Sequence, residues 1–407
     1  MPLERFTPQL RHEVEQLDAA GTTKRREPVV RAILAAKGAH GPRFLLEGHG
    51  ETPFIRMSSN SYLGLSLRKE LRAAEEKGAQ AFGVGPGAVR FISGSYAPHI
   101  ELEQRLARFH GRDACMITSA AYTSMLGVVV TLTTPETVIV SDELNHNCII
   151  NAMKLARPKD KRVYRHLDVH GLERELAASV GNAEAALVIT DGIFSMRGDL
   201  APLDVISDIV RKYDDKFPRG AVLVVDDSHG VGGFGRTGRG TEEYTGAKGI
   251  DILVATLGKA FGVNGGYIVS SQPVIDYLRE KNPLYIYTNP ITPSEATAAL
   301  AALDIVESPE GEQLLTHLRA MTKRFEDGIV ALGYETIPSE HPVVPLLVRD
   351  TEKTGRLVRH LRAHGVLATG LNYPVVPKGD ELIRFQVAAD HTPADIDVVL
   401  AALASFK

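Results

Sequence analysis

The middle of the chain repeats one pattern, a short run of apolar residues that ends at a polar or charged side chain. Runs of this kind occupy residues 186–189, 221–225 and 252–255, and amphipathic sequence separates them. Continuous apolar runs of this length are typical of strands buried on both faces, as in a parallel sheet covered by helices. Ligands of open α/β sheets bind at the carboxyl ends of such strands. The pattern therefore predicts an α/β fold with a mostly parallel central sheet and a functional site at the strand ends.

A single lysine, Lys259, lies just beyond the third run, between Gly258 and Gly262 and three residues after Thr256. Burial at a strand end removes solvent from the ammonium group and lowers its pKa, which leaves an amine for Schiff-base chemistry. The flanking glycines permit tight turns and close approach of a ligand to the backbone. An isolated motif of this kind is most often an exposed loop, so the other strand ends must decide its interpretation.

The run at 221–225 ends at Asp226, and His229 follows three residues later. A carboxylate in this place can keep the pyridine nitrogen of pyridoxal 5'-phosphate (PLP) protonated, so that the ring accepts electrons. His229 can reach the phenolic oxygen of the same ring. By itself Asp226 could equally be a helix N-cap. Its position ahead of the Lys259 motif favours the cofactor role.

Two further strand ends carry polar side chains. His146 follows the strand-like residues 136–140, where its ring can stack on a flat cofactor, although a lone histidine is more often a polar loop residue. Asp191 and Ser195 follow the run at 186–189. Because all these strand ends are expected to converge, we interpret them as one pocket.

These residues belong to a series of motifs that occur in the order in which the α-oxoamine synthases carry them. The motifs are residues 60–65, residues 90–94, His99 with Leu102 and Glu103, Asn145 with His146, residues 191–196, residues 226–230 and residues 256–259. From about Leu10 to its end the chain resembles this family of fold type I PLP enzymes. The family includes glycine C-acetyltransferase, 8-amino-7-oxononanoate synthase, 5-aminolevulinate synthase and serine palmitoyltransferase.

The resemblance implies an aspartate aminotransferase-like fold and a division into three regions. We expect an N-terminal helical segment over residues 1–50, a large PLP-binding domain over 51–290 and a small C-terminal α+β domain over 291–407. Apolar residues spaced by three and four also predict a helix from Thr7 to about Lys37.

The resemblance also implies catalytic roles. Lys259 would form the Schiff base with PLP and remove the α-proton of the amino acid substrate. Asp226 would bind the pyridine nitrogen and His146 would stack on the ring. His229, together with Ser195, would contact the phenolic oxygen.

The phosphate of PLP needs backbone donors and hydroxyls, which helix N-termini provide. Ser119, Ala120 and Ala121 follow a strand-like run and are candidates, and Thr256 adds a hydroxyl. Thr288 matches the family position that reaches the phosphate from the other subunit. The resemblance therefore implies a homodimer with shared active sites.

The substrate carboxylate calls for a fork-shaped donor, and Arg384 matches the carboxylate-binding arginine of the family, with Asn60 as its polar helper. The alternative for Arg384 is a surface salt bridge. The apolar neighbours of Arg384 argue against that alternative.

The reaction implied by the resemblance is condensation of a small amino acid with an acyl-CoA, which releases CoA. Residues 373–379 most resemble glycine C-acetyltransferase, which favours glycine. Condensation with alanine or serine, as in 8-amino-7-oxononanoate synthase or serine palmitoyltransferase, is an alternative. An aminotransferase, a decarboxylase or a PLP-binding regulator without catalysis is another. Residues 95–98, residues 121–124 and Arg197 depart from the family pattern and can alter specificity.

Composition restricts the other classes of function. A net charge of −4 and the lack of a Lys/Arg-rich run give no case for nucleic-acid binding. The only cysteines, Cys115 and Cys148, imply neither a disulfide framework nor a metal site. No apolar stretch approaches the roughly 18 residues that a membrane span needs, and the start lacks the core of a signal peptide. We therefore expect a cytoplasmic enzyme without membrane or nucleic-acid partners.

Overall fold

The protein is represented by a computed structural model that describes residues 2–19, 23–24, 27–373 and 375–406. The strands of these residues are β1 (Val30–Leu34), β2 (Arg43–Leu46), β3 (Ile55–Arg56), β4 (Ala114–Thr118), β5 (Thr137–Asp142), β6 (Asp160–Tyr164), β7 (Ala185–Asp191), β8 (Ala221–Asp226), β9 (Ile252–Thr256), β10 (Gly266–Ser270), β11 (Glu335–Thr336), β12 (Val343–Leu347), β13 (Val366–Leu367), β14 (Thr369–Leu371) and β15 (Leu382–Gln386).

The α-helices follow the same chain order. They are α1 (Pro2–Ala19), α2 (Lys69–Phe82), α3 (Ala97–Phe109), α4 (Ala121–Leu132), α5 (Asn147–Leu155), α6 (Val169–Ser179), α7 (Leu203–Asp214), α8 (Thr241–Thr245), α9 (Gln272–Lys281), α10 (Pro283–Ile286), α11 (Pro293–Val306), α12 (Pro309–Ala331), α13 (Thr351–Ala363) and α14 (Pro393–Ala404). In the part of the chain that the structure describes, no helix has the length and apolar character needed to cross a membrane.

Seven strands form the central sheet in the order β4-β10-β9-β8-β7-β5-β6. Strand β10 pairs antiparallel with both of its neighbours, and the remaining pairs are parallel. The apolar runs fill both faces: in β8, Leu223 and Val225 belong to one core cluster and Val224 to another. The prediction of an α/β fold with a mostly parallel central sheet is confirmed.

A second, antiparallel sheet has the strand order β11-β12-β15-β14. Helices α12, α13 and α14 pack against its strands or against one another. This arrangement agrees with the predicted α+β character of the C-terminal part. The predicted domain boundaries at residues 50/51 and 290/291 stay a prediction.

The helix predicted from Thr7 to Lys37 is wrong in its second half. Helix α1 ends at Ala19, and β1 pairs antiparallel with β2. Pro28 cannot continue a helix, and the β-branched residues that follow favour extended backbone. Residues 20–22 and 25–26 of the predicted helix lie outside the described residues.

A buried ion cluster joins helix α3 to the central sheet. Both carboxylate oxygens of Glu103 accept hydrogen bonds from Arg90, at 3.1 and 3.2 Å, and Arg279 lies 2.8 Å from the same carboxylate. The backbone N–H of Ile117 in β4 donates to Glu103 at 3.0 Å. A carboxylate shared by two guanidinium groups and a strand amide fixes the helix against the sheet.

We expect Glu103→Ala to lower the free energy of unfolding by about 3–5 kcal/mol, because it leaves buried arginine charge without its partner. Urea denaturation of the full chain measures this loss. Glu101→Ala, at an exposed position of the same helix, is the matched control and should stay within about 0.5 kcal/mol of the wild type. Equal effects of the two substitutions would contradict the structural role of the cluster.

Candidate active site

A cavity of about 220 Å³ lies at the carboxyl ends of β7, β8 and β9. Asp191 and Asp226 end two of these strands and are paired in register. The predicted site residues that line the cavity are Ala120, Ala121, His146, Ser195, Asp226, His229, Thr256 and Lys259. The fold thus brings together side chains that are far apart in the sequence.

Lys259 follows β9 in a turn that its neighbours hold in place. The Thr256 hydroxyl accepts a hydrogen bond from the Gly258 N–H at 3.0 Å and donates to the Gly265 carbonyl at 3.0 Å. Gly262 has φ of 71°, and a Cβ atom there would lie 2.4 Å from a backbone nitrogen. Thr256 and Gly262 therefore shape the turn that directs Lys259 into the cavity.

The environment of Lys259 favours its neutral amine. Desolvation lowers the pKa of Lys259 to about 8, although the nearby carboxylate of Asp226 opposes this change. The charge of Arg384 acts in the same direction as desolvation. An amine with this pKa is available as a nucleophile or a base near neutral pH.

Two carboxyl groups lie side by side at the carboxyl ends of β7 and β8. Asp226 is 6% exposed, and its Oδ1 accepts a hydrogen bond from the Ser228 N–H at 3.1 Å. Asp191 accepts from the backbone N–H of His146 at 2.9 Å. Burial and the charge of Asp226 raise the pKa of Asp191 well above its ordinary value. This environment therefore favours the protonated form of Asp191.

His146 stands at the start of helix α5. Its Nδ1 accepts a hydrogen bond from the Cys148 N–H at 3.3 Å, and Tyr122 approaches its ring edge-on at 6.3 Å. Burial lowers the pKa of His146, while Asp226 opposes that change. The structure thus presents a constrained imidazole to the cavity, as ring stacking requires, and stacking itself stays a prediction.

His229 is held by two residues whose roles the sequence did not reveal. The Tyr62 hydroxyl lies 2.6 Å from its Nδ1, and His341 Nε2 lies 2.9 Å from its carbonyl oxygen. Burial lowers the pKa of His229 well below its ordinary value, and burial also raises the pKa of Tyr62. A protonated Tyr62 that donates to Nδ1 places the proton of neutral His229 on Nε2. That N–H is a suitable donor to a phenolate oxygen.

Arg384 and Asn60 contact each other, with Arg384 Nη2 3.2 Å from Asn60 Oδ1. Neither residue is among those that line the cavity, but the charge of Arg384 affects both His229 and Lys259. Arg384 is only 9% exposed, and its Nε forms no hydrogen bond within the described residues. A buried guanidinium with an unused donor is not a surface salt bridge and suits an anionic ligand.

The candidate phosphate residues are at the start of helix α4. Ala120 precedes the helix in extended conformation, so the first helical N–H groups point toward the cavity end of the helix. The Ser119 side chain does not line the cavity; its hydroxyl lies 3.5 Å from that of Thr123. Gly266 in β10 lets the start of helix α4 lie close to the central sheet, because a Cβ atom at this position would lie 2.2 Å from the Ala121 nitrogen.

Thr288 does not line the cavity of its own chain. It follows helix α10, and its hydroxyl donates to the Leu284 carbonyl. The adjacent Tyr287 is 75% exposed. The expectation that Thr288 reaches a partner's phosphate site stays a prediction.

Sequence reasoning placed Asp191 at this pocket but gave no role to four other cavity residues, namely Tyr122, Cys148, Ile193 and Ser228. Ser228 is the most informative, since its hydroxyl is buried and has no hydrogen-bond partner in the described part of the chain. A signal for it was present, because Ser228 lies between Asp226 and His229 in the motif. Cys148 likewise follows His146 by two residues.

The side chains present fit PLP. The cavity offers a carboxylate, a neutral imidazole donor, helix-terminal amides and a lysine with lowered pKa, which match the pyridine nitrogen, phenolic oxygen, phosphate and aldehyde of that molecule. The unpartnered donors of Ser228 and Arg384 further indicate that a polar ligand completes the site.

We expect Lys259 in the PLP-free protein to react with an amine acylating reagent with a midpoint near pH 8. Below this pH the ammonium form is unreactive, and above it the free amine reacts. Peptide mass spectrometry across a pH series measures the midpoint. Lys212 is the internal reference, because its bond to Glu173 raises its pKa. A Lys259 midpoint equal to or above that of Lys212 would contradict the proposed environment.

Comparisons with known proteins agree with this geometry. The family model "Aminotransferase class I and II" matches residues 52–403. The chain is 38% identical to 8-amino-7-oxononanoate synthase of Thermosipho melanesiensis over 85% of this chain and 86% of that protein. It is 36% identical to the enzyme of the same name from Petrotoga mobilis over 97% of this chain and 96% of that protein.

Solved structures show the same relationship. Serine palmitoyltransferase of Sphingomonas wittichii superposes with a TM-score of 0.88 at 26% identity, over 99% of this chain and 97% of that chain. The fold, the family model and the sequence relatives agree with the motifs that converge on the cavity. The chain therefore belongs to the α-oxoamine synthases, PLP-dependent transferases of fold type I.

Proposed function

We propose that the protein condenses alanine with an acyl thioester whose chain ends in a carboxylate. The product would be 8-amino-7-oxononanoate, the compound in the name of its relatives. The observation that carries the proposal is their similarity across almost the whole chain, site motifs included. The similarity to these relatives favours condensation with alanine over the predicted condensation with glycine. That prediction rested on residues 373–379, of which Pro374 lies outside the described residues.

The atoms of the proposed product define the substrates. An oxo group at C7 and an amino group at C8 of a nine-carbon acid correspond to alanine without its carboxyl group, joined to a seven-carbon acyl group with a terminal carboxylate. The reaction forms a bond between the α-carbon of alanine and the thioester carbonyl carbon. It expels the thiol of coenzyme A and releases the alanine carboxyl group as CO₂.

The residues of the chain divide this chemistry among themselves. Arg384, with Asn60, would bind the alanine carboxylate, since its buried guanidinium has a donor to spare. The neutral amine of Lys259 would take the α-proton. Bound PLP supplies an electron sink that stabilises negative charge at the α-carbon.

Three residues would control the protonation of the PLP ring and its exposure to water. Asp226 would hold the proton at the pyridine nitrogen, because a buried carboxylate favours a neighbouring positive charge. His229 would donate from Nε2 to the phenolic oxygen. His146 would cover the open face of the ring and exclude water there.

A larger cavity of about 630 Å³ adjoins the first, and Ser195 lines both. Its walls include the apolar side chains of Phe194, Leu347 and Val376, and they fit an acyl chain. Arg197, one of the departures from the family pattern, also lines it.

Arg197 is the candidate partner for the terminal carboxylate of the acyl group. Its Nε binds Asp199 at 2.8 Å, and its terminal nitrogens form no hydrogen bond within the described chain. Arg349, the other arginine of this cavity, is already paired with Glu335. Acidic residues line the cavity as well, and the positive charge of Arg197 would offset their repulsion of the acyl carboxylate.

Condensation of serine with a long apolar acyl-CoA is the second candidate, because the serine palmitoyltransferase structure superposes over nearly the whole chain. The two candidates differ at the far end of the acyl chain, which is charged in one and apolar in the other.

We expect CoA release to be fastest with alanine and a seven-carbon dicarboxylic mono-CoA thioester. The assay crosses alanine, glycine and serine with this thioester, acetyl-CoA, heptanoyl-CoA and palmitoyl-CoA. Serine with palmitoyl-CoA as the best pair would replace the proposal by the second candidate. An aminotransferase or simple decarboxylase would release no CoA with any pair.

Arg197→Ala is the matched variant for the same assay. It should raise KM for the dicarboxylic thioester about tenfold or more, since a charge-assisted hydrogen bond is lost, and leave heptanoyl-CoA within about twofold. Arg349→Ala is its control and should change neither value to a comparable extent. An equal loss with both thioesters would remove Arg197 from carboxylate recognition.

We also propose a two-fold homodimer in which Thr288 completes the partner's phosphate site. The exposed Tyr287 beside it supports this assignment, as does the finding that Thr288 does not line the cavity of its own chain. If this surface forms the interface of a closed two-fold dimer, each Thr288 would lie at the phosphate site of the neighbouring subunit.

Mixing Lys259→Ala chains with Thr288→Glu chains tests this sharing. Each homodimer should be inactive, the second because a carboxylate repels the phosphate. Heterodimers should regain part of the wild-type activity, since one of their two sites has both residues intact. Heterodimers that form, as native mass spectrometry detects, but remain inactive would place Thr288 outside the partner's site.

A further inference from the structure

We propose that Cys148 is a positioning residue, whose thiol holds the carboxylate of Asp226 in the orientation needed to bind the pyridine nitrogen. The inference rests on the proposed function only in the role that it gives Asp226. It does not depend on which amino acid or acyl group the enzyme uses.

Cys148 is the second residue of helix α5, is 1% exposed and lines the small cavity. Its Sγ lies 3.5 Å from Asp226 Oδ2 and 3.0 Å from His146 Nδ1. A ring nitrogen of His146, the Sγ of Cys148 and a carboxylate oxygen of Asp226 all lie within 4.8 Å of one another. One thiol thus contacts both the residue proposed for the pyridine nitrogen and the residue proposed for the ring face.

The hydrogen-bond pattern determines where the thiol proton points. His146 Nδ1 already accepts the backbone N–H of Cys148, at 3.3 Å. Burial and the charges of Asp226 and Asp191 raise the pKa of the Cys148 thiol well above its ordinary value, so the thiol stays protonated. The S–H therefore donates to Asp226 Oδ2, its acceptor in the site.

Asp226 is consequently held at both oxygens. The Ser228 N–H donates to Oδ1 at 3.1 Å, and the Cys148 thiol donates to Oδ2. Two donors fix the rotation of the carboxylate group while leaving lone pairs directed into the cavity. Because a thiol is a weak donor, it orients the carboxylate without withdrawing much of its charge.

The chain contains a matched control. Cys115, the only other cysteine, is also buried, but it lies in β4 and does not line the cavity. Substitution of Cys115 removes a buried thiol without touching Asp226.

The test measures the PLP dissociation constant by titrating the PLP-free full-length protein, and the absorbance maximum of the bound PLP, without substrates. Cys148→Ala should weaken binding about fivefold to tenfold and shift the maximum, because one carboxylate oxygen loses its donor. Cys148→Ser should recover part of both properties, since its hydroxyl can still donate. Cys115→Ala should stay within about twofold of the wild type. Equal values for Cys148→Ala and the wild type would overturn the proposal.

A double-mutant cycle with Asp226→Asn separates positioning from packing. If Cys148 acts through Asp226, Cys148→Ala should change PLP affinity less than about twofold in the Asp226→Asn background. The same loss in both backgrounds would show that Cys148 only fills space, and would overturn the proposal. Should Cys148→Ala fail to fold, Cys148→Val, which removes the donor but still fills the space, completes the cycle under the same criterion.

Because these measurements omit both substrates, their failure leaves the proposed condensation of alanine intact. Conversely, a different substrate pair in the CoA-release assay leaves the positioning role of Cys148 unaffected. The two proposals are thus tested separately.

Discussion

The buried carboxylate of Asp226 is the charge around which the site is organised. A buried anion is costly unless hydrogen bonds and opposite charge compensate it. Here the Ser228 N–H and the Cys148 thiol bind its oxygens, and Lys259 lies within electrostatic range. Burial raises the pKa of the neighbouring Asp191, and the charge of Asp226 adds to this change. The lysine with lowered pKa and the carboxyl with raised pKa therefore belong to one electrostatic unit.

A second set of contacts connects the two sheets. Arg384 in β15 contacts Asn60, and Tyr62 in the same N-terminal loop binds His229 of the central-sheet loop. His341, just before β12, supports the His229 backbone from the other side. Since most of these groups are buried, a shift of the antiparallel sheet would move the residues proposed for the substrate carboxylate and the phenolic oxygen together.

The residues proposed for the chemistry and those proposed to bind the acyl group line two adjacent cavities. The small cavity contains the residues of the α-oxoamine synthase motifs, whereas the larger one has walls from the loop after β7 and from the antiparallel sheet. The departure at Arg197 falls in the larger cavity, whereas the departure at residues 121–124 reaches the small cavity through Ala121 and Tyr122. The residues proposed to act on the cofactor ring, Lys259, Asp226, His229 and His146, all belong to family motifs, so one set of side chains can serve reactions with different acyl groups.

Local signals in the sequence determined the strand ends and much of the helical structure. Apolar runs predicted β7, β8 and β9 with Asp226 and Lys259 at their ends, because strand periodicity and turn chemistry act over a few residues. Helices α3, α11 and α14 each have a proline in their first turn, where its missing N–H costs no helical hydrogen bond. Only the tertiary structure decided which distant groups meet. Asn60 and Arg384 contact each other across 324 positions, and the roles of Tyr62, His341, Cys148 and Ser228 follow from burial and orientation, which no short window encodes. Residues of β1 were predicted as helix; Pro28 and the β-branched residues allow extended backbone there, and pairing with β2 makes it a strand, because a strand needs a partner that is distant in the sequence.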